Sequence, residues 1–217
     1  MTVKEMIVTV DGPSGTGKST VSKAVATRAG LPHLDTGAFY RAATLAALRE
    51  GIDLADSDAV VDMVSGMSMD QDNGLMFLDG EDVSTEIRGE CVTNAVSQVA
   101  SHPEVRRILV SHQRAWVAEQ GGRAVVEGRD IGSVVFPSAT LKIYLDARPE
   151  VRAIRRATQV GEDPDRIIED LARRDHLDAS RDASPLTIPD GAVTVDTSDL
   201  TFDQVVERVL SLISAKS

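Results

Sequence analysis

Residues 6–20, MIVTVDGPSGTGKST, decide the predicted fold of this chain. The apolar run MIVTV is typical of a buried strand, and it stops at Asp11. A glycine-rich loop follows, and a helical pattern begins near Lys18. The loop contains the pattern G-x-x-x-x-G-K-[ST] between the predicted strand and the predicted helix. This position favours a phosphate-binding loop over a plain glycine-rich turn.

The chemistry of phosphate binding explains the residue types in the loop. Main-chain N–H groups must surround an anion, and glycines permit the backbone dihedrals and the close approach that this needs. The Lys18 ammonium group reaches the outer phosphates, and the Ser19 hydroxyl can ligate Mg²⁺. We therefore expect a nucleoside triphosphate with Mg²⁺, and Ser19 as the metal ligand. The expected triphosphate site is Gly12, Pro13, Ser14, Gly15, Thr16, Gly17, Lys18, Ser19 and Thr20.

Composition is that of an ordinary globular domain. The 217 residues are 42% hydrophobic and 26% charged, and the formal net charge of −11 argues against non-specific binding to nucleic acid or an anionic membrane. The sequence shows neither a signal-peptide pattern nor an apolar run of about 18 residues. The single cysteine, Cys91, excludes an internal disulfide. We expect a cytoplasmic protein in which Cys91 is a buried, inert thiol.

The remaining pattern predicts an α/β chain that carries a small antiparallel insert. Core strands are predicted at 123–127, 140–145 and 192–196, separated by helical segments. Between residues 52 and 88 the turn signals Asn73-Gly74 and Asp79-Gly80 separate short apolar runs, which predicts tight hairpins.

A group of arginines indicates a second anionic ligand. Arg152, Arg155 and Arg156 follow Pro149 at a spacing that places three guanidinium groups on one helix face. Apart from the flanking Glu150, no acidic residue on that face neutralises them within the helix. A polar break and another helix follow, which is typical of a lid over a bound nucleotide. A solvent-exposed helical hairpin is the alternative.

Two further groups of polar residues follow predicted strands. Tyr40 and Arg41 lie in the first turns of a helix, where an anion finds N–H groups and a guanidinium, although a helix cap with a solvated arginine is the alternative. Glu127 and Asp130 flank Arg129 at the carboxyl end of a strand, where open α/β sheets bind ligands. They are candidates for water-mediated Mg²⁺ contact or substrate recognition, against a glycine turn with an internal Arg–Asp pair.

The loop by itself does not distinguish kinases from other nucleotide-hydrolysing proteins. A GTPase would ordinarily carry an Asn-Lys-x-Asp motif, which the sequence lacks. Phosphoryl transfer suits the arginine-rich pattern because it depends on positioning and charge neutralisation. If the acceptor is itself a phosphate, it is mostly ionised at pH 7 and needs no strong general base.

The motifs together resemble those of bacterial cytidylate (CMP) kinases, a family of nucleoside monophosphate kinases. The matching pieces cover nearly the whole length of the chain. They are GPSGTGKST (12–20), LDTGAFYR (34–41), LDGEDVSTEIR (78–88), SQVASHPEVR (97–106), EGRDIGSVVFP (127–137), KIYLDA (142–147) and DASRDASPL (178–186). Glu127 stands where many members have Asp, and Thr36 replaces a frequent Ser.

The resemblance implies one domain over residues 1–217 with a three-layer α/β P-loop kinase fold. It implies a five-stranded parallel sheet, a small antiparallel monophosphate-binding insert at about 52–95 and a helical lid at about 155–168. The implied reaction transfers the γ-phosphoryl group of ATP to CMP or dCMP, in pyrimidine nucleotide metabolism. The alternatives are another P-loop kinase of a small anionic metabolite and a regulatory ATPase that transfers nothing. We expect a monomer with small-molecule substrates, Mg²⁺ and no nucleic-acid or membrane partner.

The resemblance also implies roles for individual residues. Ser97, Arg106 and Asp130 fall where the family reads cytosine, and a carboxylate at Asp130 would accept a hydrogen bond from the exocyclic amine. The implied CMP-binding residues are Thr36, Tyr40, Arg41, Ser97, Arg106, Arg129, Asp130, Asp178 and Arg181. The implied catalytic residues are Lys18, Arg129, Arg152, Arg155 and Arg156.

Overall fold

The computed structural model of the chain describes residues 5–161, 163–180 and 184–216, without the side chains of Gln159 and Val160. The described residues form two compact units. Unit 1 combines residues up to 33 with those from 120 onward, and unit 2 spans 34–119. The insert predicted at 52–95 lies inside unit 2, and its bounds remain a prediction.

The described residues form both strands and helices, as the pattern predicts. The strands are β1 (Met6–Asp11), β2 (His33–Asp35), β3 (Met69–Asp72), β4 (Leu75–Leu78), β5 (Glu81–Asp82), β6 (Arg123–Glu127), β7 (Leu141–Asp146) and β8 (Val193–Asp196). The helices are α1 (Lys18–Ala29), α2 (Thr36–Glu50), α3 (Ser57–Gly66), α4 (Glu90–Val99), α5 (Pro103–Glu119), α6 (Pro149–Val160), α7 (Pro164–Ala179) and α8 (Phe202–Ser214).

The larger sheet has the order β2-β6-β1-β7-β8. In unit 1, β1 pairs in parallel with both β6 and β7, and Val10 lies opposite Glu127 on one side and Ile143 on the other. All of β1 except Ile7 is buried, as expected for a central parallel strand that is covered on both faces. The predicted five-stranded parallel sheet is confirmed.

Helices α1 and α8 cover this sheet in unit 1. Val21 and Val25 of α1 join Val206 and Val209 of α8 in one apolar cluster with the strand residues. The pattern Thr201-x-x-Gln204 predicts a capping box, and this box begins α8. The Thr201 hydroxyl accepts from the main-chain N–H of Gln204 at 3.3 Å, and the Gln204 side-chain oxygen accepts from the main-chain N–H of Thr201 at 2.8 Å. This packing holds β1, and therefore the loop that follows it, in a fixed frame.

Helices α6 and α7 form a hairpin within unit 1. Ala153 and Ala157 of α6 pack against Ile167 and Leu171 of α7. Each helix begins with a proline at its first position, where the missing N–H costs no hydrogen bond. The predicted lid bounds, 155–168, fall across this hairpin and remain a prediction, and Glu162 at its tip lies outside the described residues.

Unit 2 combines a small sheet with four helices described in it, α2 to α5. Helix α2 contacts α4, and α3 contacts α5. The sheet has the order β3-β4-β5, and both pairings are antiparallel. Asn73 and Gly74 connect β3 to β4 with φ values of 49° and 81°, and a two-residue turn with two positive φ values suits a tight hairpin. The predicted antiparallel hairpins are confirmed.

The expectation that Cys91 is buried is wrong, because its side chain is exposed. Helix α4 buries Val92, Val96 and Val99, and this spacing defines its inward face. Cys91 comes one residue before Val92 and is therefore rotated by about 100° from it, toward solvent. Within the described ranges, no helix has the length and apolar character needed to cross a membrane.

Candidate functional site

The predicted phosphate loop lies between β1 and α1 in unit 1. Gly12 has φ 144°, and a Cβ atom there would lie 2.1 Å from the main-chain oxygen of Leu145. No side chain fits at that distance, so glycine is required for the loop to leave the sheet beside β7. The loop then leads directly into the first turn of α1, with Lys18 and Ser19 as its first two residues.

Side chains from α6 hold the main-chain carbonyls of this loop. Arg152 donates to the oxygen of Ser14 at 3.0 Å, and Arg155 lies 3.5 Å from the oxygen of Thr16. A peptide carbonyl and the N–H of the next residue point in opposite directions, because the peptide unit is planar and trans. Anchoring the Ser14 carbonyl toward α6 therefore turns the N–H of Gly15 away from α6. The loop amides are thus oriented by the protein itself.

Lys18 is buried, and its ammonium group donates to the oxygen of Pro13 at 2.6 Å. Burial holds the pKa of Lys18 well below its usual value, and the positive charge of Arg129 lowers it further. The carboxylates of Glu127, Asp178 and Asp11 act in the opposite direction. A bound phosphate would favour the charged lysine in the same way as these carboxylates do.

Asp175 of α7 forms a hydrogen bond with the loop. Its carboxylate accepts from the main-chain N–H of Ser14 at 3.1 Å and pairs with the guanidinium of Arg152. The prediction that no acidic residue on the α6 face itself neutralises the arginines overlooked this partner, which comes from the next helix. Asp175 supplies negative charge beside a loop that is suited to anions.

Arg129 also connects the loop to α7. Its Nε donates to Asp178 at 2.9 Å, and its Nη2 donates to the Ser14 hydroxyl at 2.7 Å. Asp178 is buried, so this ion pair is largely shielded from solvent. This pair joins Arg129 to a carboxylate from α7, which differs from the alternative of a pair inside the 128–130 turn.

The other predicted arginines of α6 differ in their contacts. Arg155 donates to the hydroxyl and the main-chain oxygen of Thr197 at 2.8 and 2.7 Å, just after β8. Arg156 is half-buried and lies in the electrostatic neighbourhood of Arg174 on α7. Burial lowers the pKa of Arg174, and the charge of Arg129 adds to this effect. Arg129 and Arg156 therefore both lie within electrostatic range of Arg174.

Ser19 and Glu127 meet at the start of α1. The Ser19 hydroxyl donates to Glu127 Oε2 at 2.8 Å, and His33 Nε2 lies 3.0 Å from Glu127 Oε1. Glu127 is 3% exposed, whereas Ser19 is exposed. Among the described residues, no group of three or more His, Cys, Asp or Glu could hold a metal ion alone. Mg²⁺ commonly uses one or two protein oxygens together with substrate phosphates, and this pair fits that donor set.

A buried carboxylate supports the turn that carries Asp130. Asp11 accepts from the main-chain N–H groups of Ile131 and Gly132 at 2.7 and 2.8 Å. Burial raises the pKa of Asp11 from 3.8 to about 6, against the effect of these two hydrogen bonds. Asp130 is itself buried and begins a π-helical turn over Ile131–Val135. The end of β1 thus fixes the position of Asp130.

Unit 2 presents its own set of the predicted residues. Thr36 is buried in the first turn of α2, where Asp35 accepts from the N–H of Ala38 at 3.3 Å. Arg41 donates to the Ile87 oxygen at 3.1 Å and to the Thr93 hydroxyl at 2.9 Å.

Arg106 is buried in unit 2 and stacks with an aromatic ring. Its guanidinium carbon lies 5.2 Å from the centre of the Tyr40 ring, and it donates to the Ala100 oxygen at 3.3 Å. Ser97 is half-buried on α4. Within this unit the structure therefore gathers Tyr40 and Arg106, two residues that the sequence places 66 positions apart.

Comparisons with known proteins agree with this geometry. The family model described as cytidylate kinase matches residues 8–215. The chain is 50% identical to a protein named cytidylate kinase from Rhodococcus opacus (strain B4), over 100% of this chain and 98% of the relative. It is 48% identical to one from Mycobacterium leprae (strain Br4923), over 98% of this chain and 97% of the relative.

The chain belongs to the cytidylate kinase family. A solved structure titled as a gluconokinase from Sinorhizobium meliloti 1021 is similar in fold, with a TM-score of 0.52 and 18% identity over 97% of this chain and 92% of that chain. At this identity the likeness concerns the fold alone, and it agrees with the expected P-loop kinase fold. Membership of the cytidylate kinase family rests on the full-length sequence matches.

Three residues at this site were not predicted from the sequence. Asp175 and Arg174 lie three and four residues before Asp178, so a search for carboxylates and arginines on one face of α7 would have included them. His33 gave no local signal, because its partner Glu127 is remote in sequence. Arg181, predicted to bind CMP, lies outside the described residues.

Proposed function

We propose that this chain transfers the γ-phosphoryl group of ATP to CMP or dCMP, giving ADP and CDP or dCDP. The observation that carries the proposal is the match to the cytidylate kinase family over residues 8–215, which includes the phosphate loop with its lysine and surrounding arginines. The proposed place of this reaction is pyrimidine nucleotide metabolism in the cytoplasm, and the proposed state of the protein is a monomer.

On the donor side, the loop residues 12–20 bind the phosphates of ATP. Lys18 donates to the outer phosphates once a nucleotide displaces its bond to the Pro13 oxygen. Arg129, Arg152, Arg155 and Arg156 neutralise the charge that spreads over the transferring group. The contacts of Arg129 and Arg152 with the loop support these roles, because they keep both guanidiniums beside the bound phosphates.

Mg²⁺ fits the oxygen donors at the start of α1. Ser19 would hold the ion through its hydroxyl oxygen. Glu127 would orient this hydroxyl without touching the ion, since the carboxylate accepts the hydrogen bond that the serine donates. When bound, the ion supplies neutralisation of phosphate charge and orientation of the transferring group. The protein contributes a buried carboxylate that fixes the serine hydroxyl.

On the acceptor side, the proposed roles follow the family resemblance. Asp130 accepts from the exocyclic amine of cytosine, Arg106 donates to the ring carbonyl and Ser97 assists. The phosphate and pentose of CMP are assigned to Thr36, Tyr40, Arg41, Arg129, Asp178 and Arg181. The acceptor phosphate has a second pKa near 6, so it is mostly ionised at pH 7 and attacks without a strong general base.

A panel of acceptors tests the proposal. ADP formation from ATP and Mg²⁺ is measured with CMP, dCMP, UMP, AMP, shikimate or no acceptor. We expect rapid ADP formation with CMP or dCMP and little without an acceptor, because water must be kept from the γ-phosphate. Fast ADP release in the absence of any acceptor would indicate an ATPase. Preference for shikimate would indicate a different small-metabolite kinase.

A further inference from the structure

Three side chains of unit 1 form a continuous hydrogen-bonded chain that ends at the proposed Mg²⁺ ligand. Ser19 Oγ lies 2.8 Å from Glu127 Oε2, and Glu127 Oε1 lies 3.0 Å from His33 Nε2. We propose that His33 is a positioning residue for Mg²⁺ binding: it fixes Glu127, which in turn fixes the Ser19 hydroxyl. This inference rests on the proposed function, since it deepens the role of the same metal site.

The first step concerns the state of His33. An ionised carboxylate only accepts hydrogen bonds, so the ring nitrogen that faces Glu127 must carry a proton. His33 is therefore a donor at Nε2 whether the ring is neutral or charged. Its side chain is 14% exposed, so water does not replace it easily as a donor. Glu127 thus receives one donor on each of its two oxygens.

The second step concerns the orientation of Glu127. A glutamate has three rotatable side-chain bonds, and a hydrogen bond to each of its oxygens restricts its orientation more than a bond to one oxygen. Glu127 is 3% exposed, and each oxygen of a buried carboxylate requires a partner. The bond from His33 supplies this partner and fixes the plane of the carboxylate. The oxygen that faces Ser19 therefore has one preferred position.

The third step concerns Ser19. A hydroxyl has one donor hydrogen and two acceptor lone pairs. When the hydrogen points to Glu127, the lone pairs point away from the buried carboxylate, and Ser19 itself is an exposed residue. A hard cation such as Mg²⁺ binds oxygen lone pairs and demands near-ideal geometry. Residues that orient a metal ligand typically change metal affinity or activity by about 10- to 100-fold when they are removed.

Variants of His33 test this role. His33→Leu removes the donor and introduces an apolar side chain of similar volume. His33→Gln is the matched control, because its amide nitrogen can donate from nearly the same place. His33→Ala is a second removal of the donor, for use if His33→Leu does not fold. Calorimetry measures ADP binding to each variant at several Mg²⁺ concentrations and in EDTA. Turnover with ATP and CMP is measured over the same Mg²⁺ range.

The expected result is selective for the metal. His33→Leu raises the Mg²⁺ concentration needed for half-maximal tightening of ADP binding by about 10-fold. It leaves ADP affinity in EDTA unchanged, and His33→Gln behaves like the natural chain. Turnover shows the same increase in Mg²⁺ requirement and recovers when Mg²⁺ is saturating.

Two outcomes would overturn the inference. In the first, His33→Leu and His33→Gln lose ADP affinity equally, with or without Mg²⁺, which indicates a merely structural role. In the second, both bind ADP and Mg²⁺ like the natural chain. The calorimetry does not involve CMP, so it remains decisive if the natural chain fails to phosphorylate CMP. That failure would contradict the proposed function alone.

Discussion

The described contacts of the predicted site arginines differ between the two units. In unit 1, Arg129 and Arg152 each contact a carboxylate from α7, and both also contact Ser14 of the phosphate loop. In unit 2, Arg41 contacts a main-chain oxygen and a hydroxyl, and Arg106 stacks on the Tyr40 ring.

The arginines of the two units are therefore expected to respond differently to a bound phosphate. A guanidinium paired with a carboxylate has a partner of the same charge as a phosphate, so a ligand must compete with that partner or share the arginine with it. In unit 2, Arg41 and Arg106 lie among the residues that are proposed to bind the acceptor. We therefore expect changes in unit 1 to affect the phosphoryl-transfer step most, and changes in unit 2 to affect acceptor binding.

The largest expected effect is on the lysine of the loop. Lys18→Ala should lower turnover by several orders of magnitude, because it removes the buried cation that is proposed to contact the outer phosphates of ATP. Steady-state ADP formation with CMP measures the loss. The exposed Lys23 lies on the same helix, so Lys23→Ala is the matched control and should keep nearly full turnover.

Arg152→Ala and Arg41→Ala compare the two units directly. Removing Arg152 should lower kcat by about 10²- to 10³-fold, as is typical for one donor to a developing charge. Removing Arg41 should chiefly raise the KM for CMP. The surface arginines Arg148 and Arg107 supply control variants for the two units, since each pairs with an exposed carboxylate. If both test variants changed only KM, the proposed division between the units would be wrong.

Asp130→Ala tests base recognition. The variant should use CMP about 10²-fold less efficiently, since it leaves the cytosine amine without its acceptor. UMP presents a carbonyl at that position, so kcat/KM for UMP should fall far less. The ratio of kcat/KM for the two acceptors is the measurement, and an unchanged ratio would remove Asp130 from base recognition.

A smaller effect concerns stability and the buried carboxylate of Asp11. Its pKa is about 6 in the folded chain and 3.8 as its ordinary value, so between these pH values the folded state binds more protons than the unfolded state. The free energy of unfolding therefore falls as pH rises through this range, by up to about 3 kcal/mol, because one pKa unit corresponds to about 1.4 kcal/mol.

Asp11→Asn does not titrate and isolates this contribution. The difference in unfolding free energy between the natural chain and the variant, measured by urea denaturation, should change between pH 4 and pH 7 in favour of the variant. Asparagine has one acceptor oxygen where Asp11 has two, so the variant also loses one hydrogen bond. This loss lowers its unfolding free energy by an amount that does not depend on pH. A difference that stays constant across this range would contradict the raised pKa.

The sequence predicted those parts of the molecule that depend on neighbouring residues. The strand, loop and helix over 6–29 follow from local periodicity and glycine spacing, and the hairpin turn follows from Asn73-Gly74. The α8 capping box was likewise visible as a four-residue pattern.

Parts that depend on distant contacts were not predictable from such patterns. The pairing of Arg152 with Asp175 requires that α6 and α7 fold back on each other, and the bond between His33 and Glu127 joins remote positions. Cys91 was assigned to the interior from the general behaviour of cysteine, whereas the positions of Val92, Val96 and Val99 decide which face of α4 is buried. Residue type alone did not contain that information.

The most direct test follows the phosphoryl group itself. The natural chain is incubated with ATP labelled at the γ-phosphate, Mg²⁺ and CMP, and the label is separated into CDP and inorganic phosphate. The account predicts that nearly all the transferred label is found in CDP and that little is released when CMP is omitted. Label recovered mainly as inorganic phosphate, at the same rate with and without CMP, would contradict it.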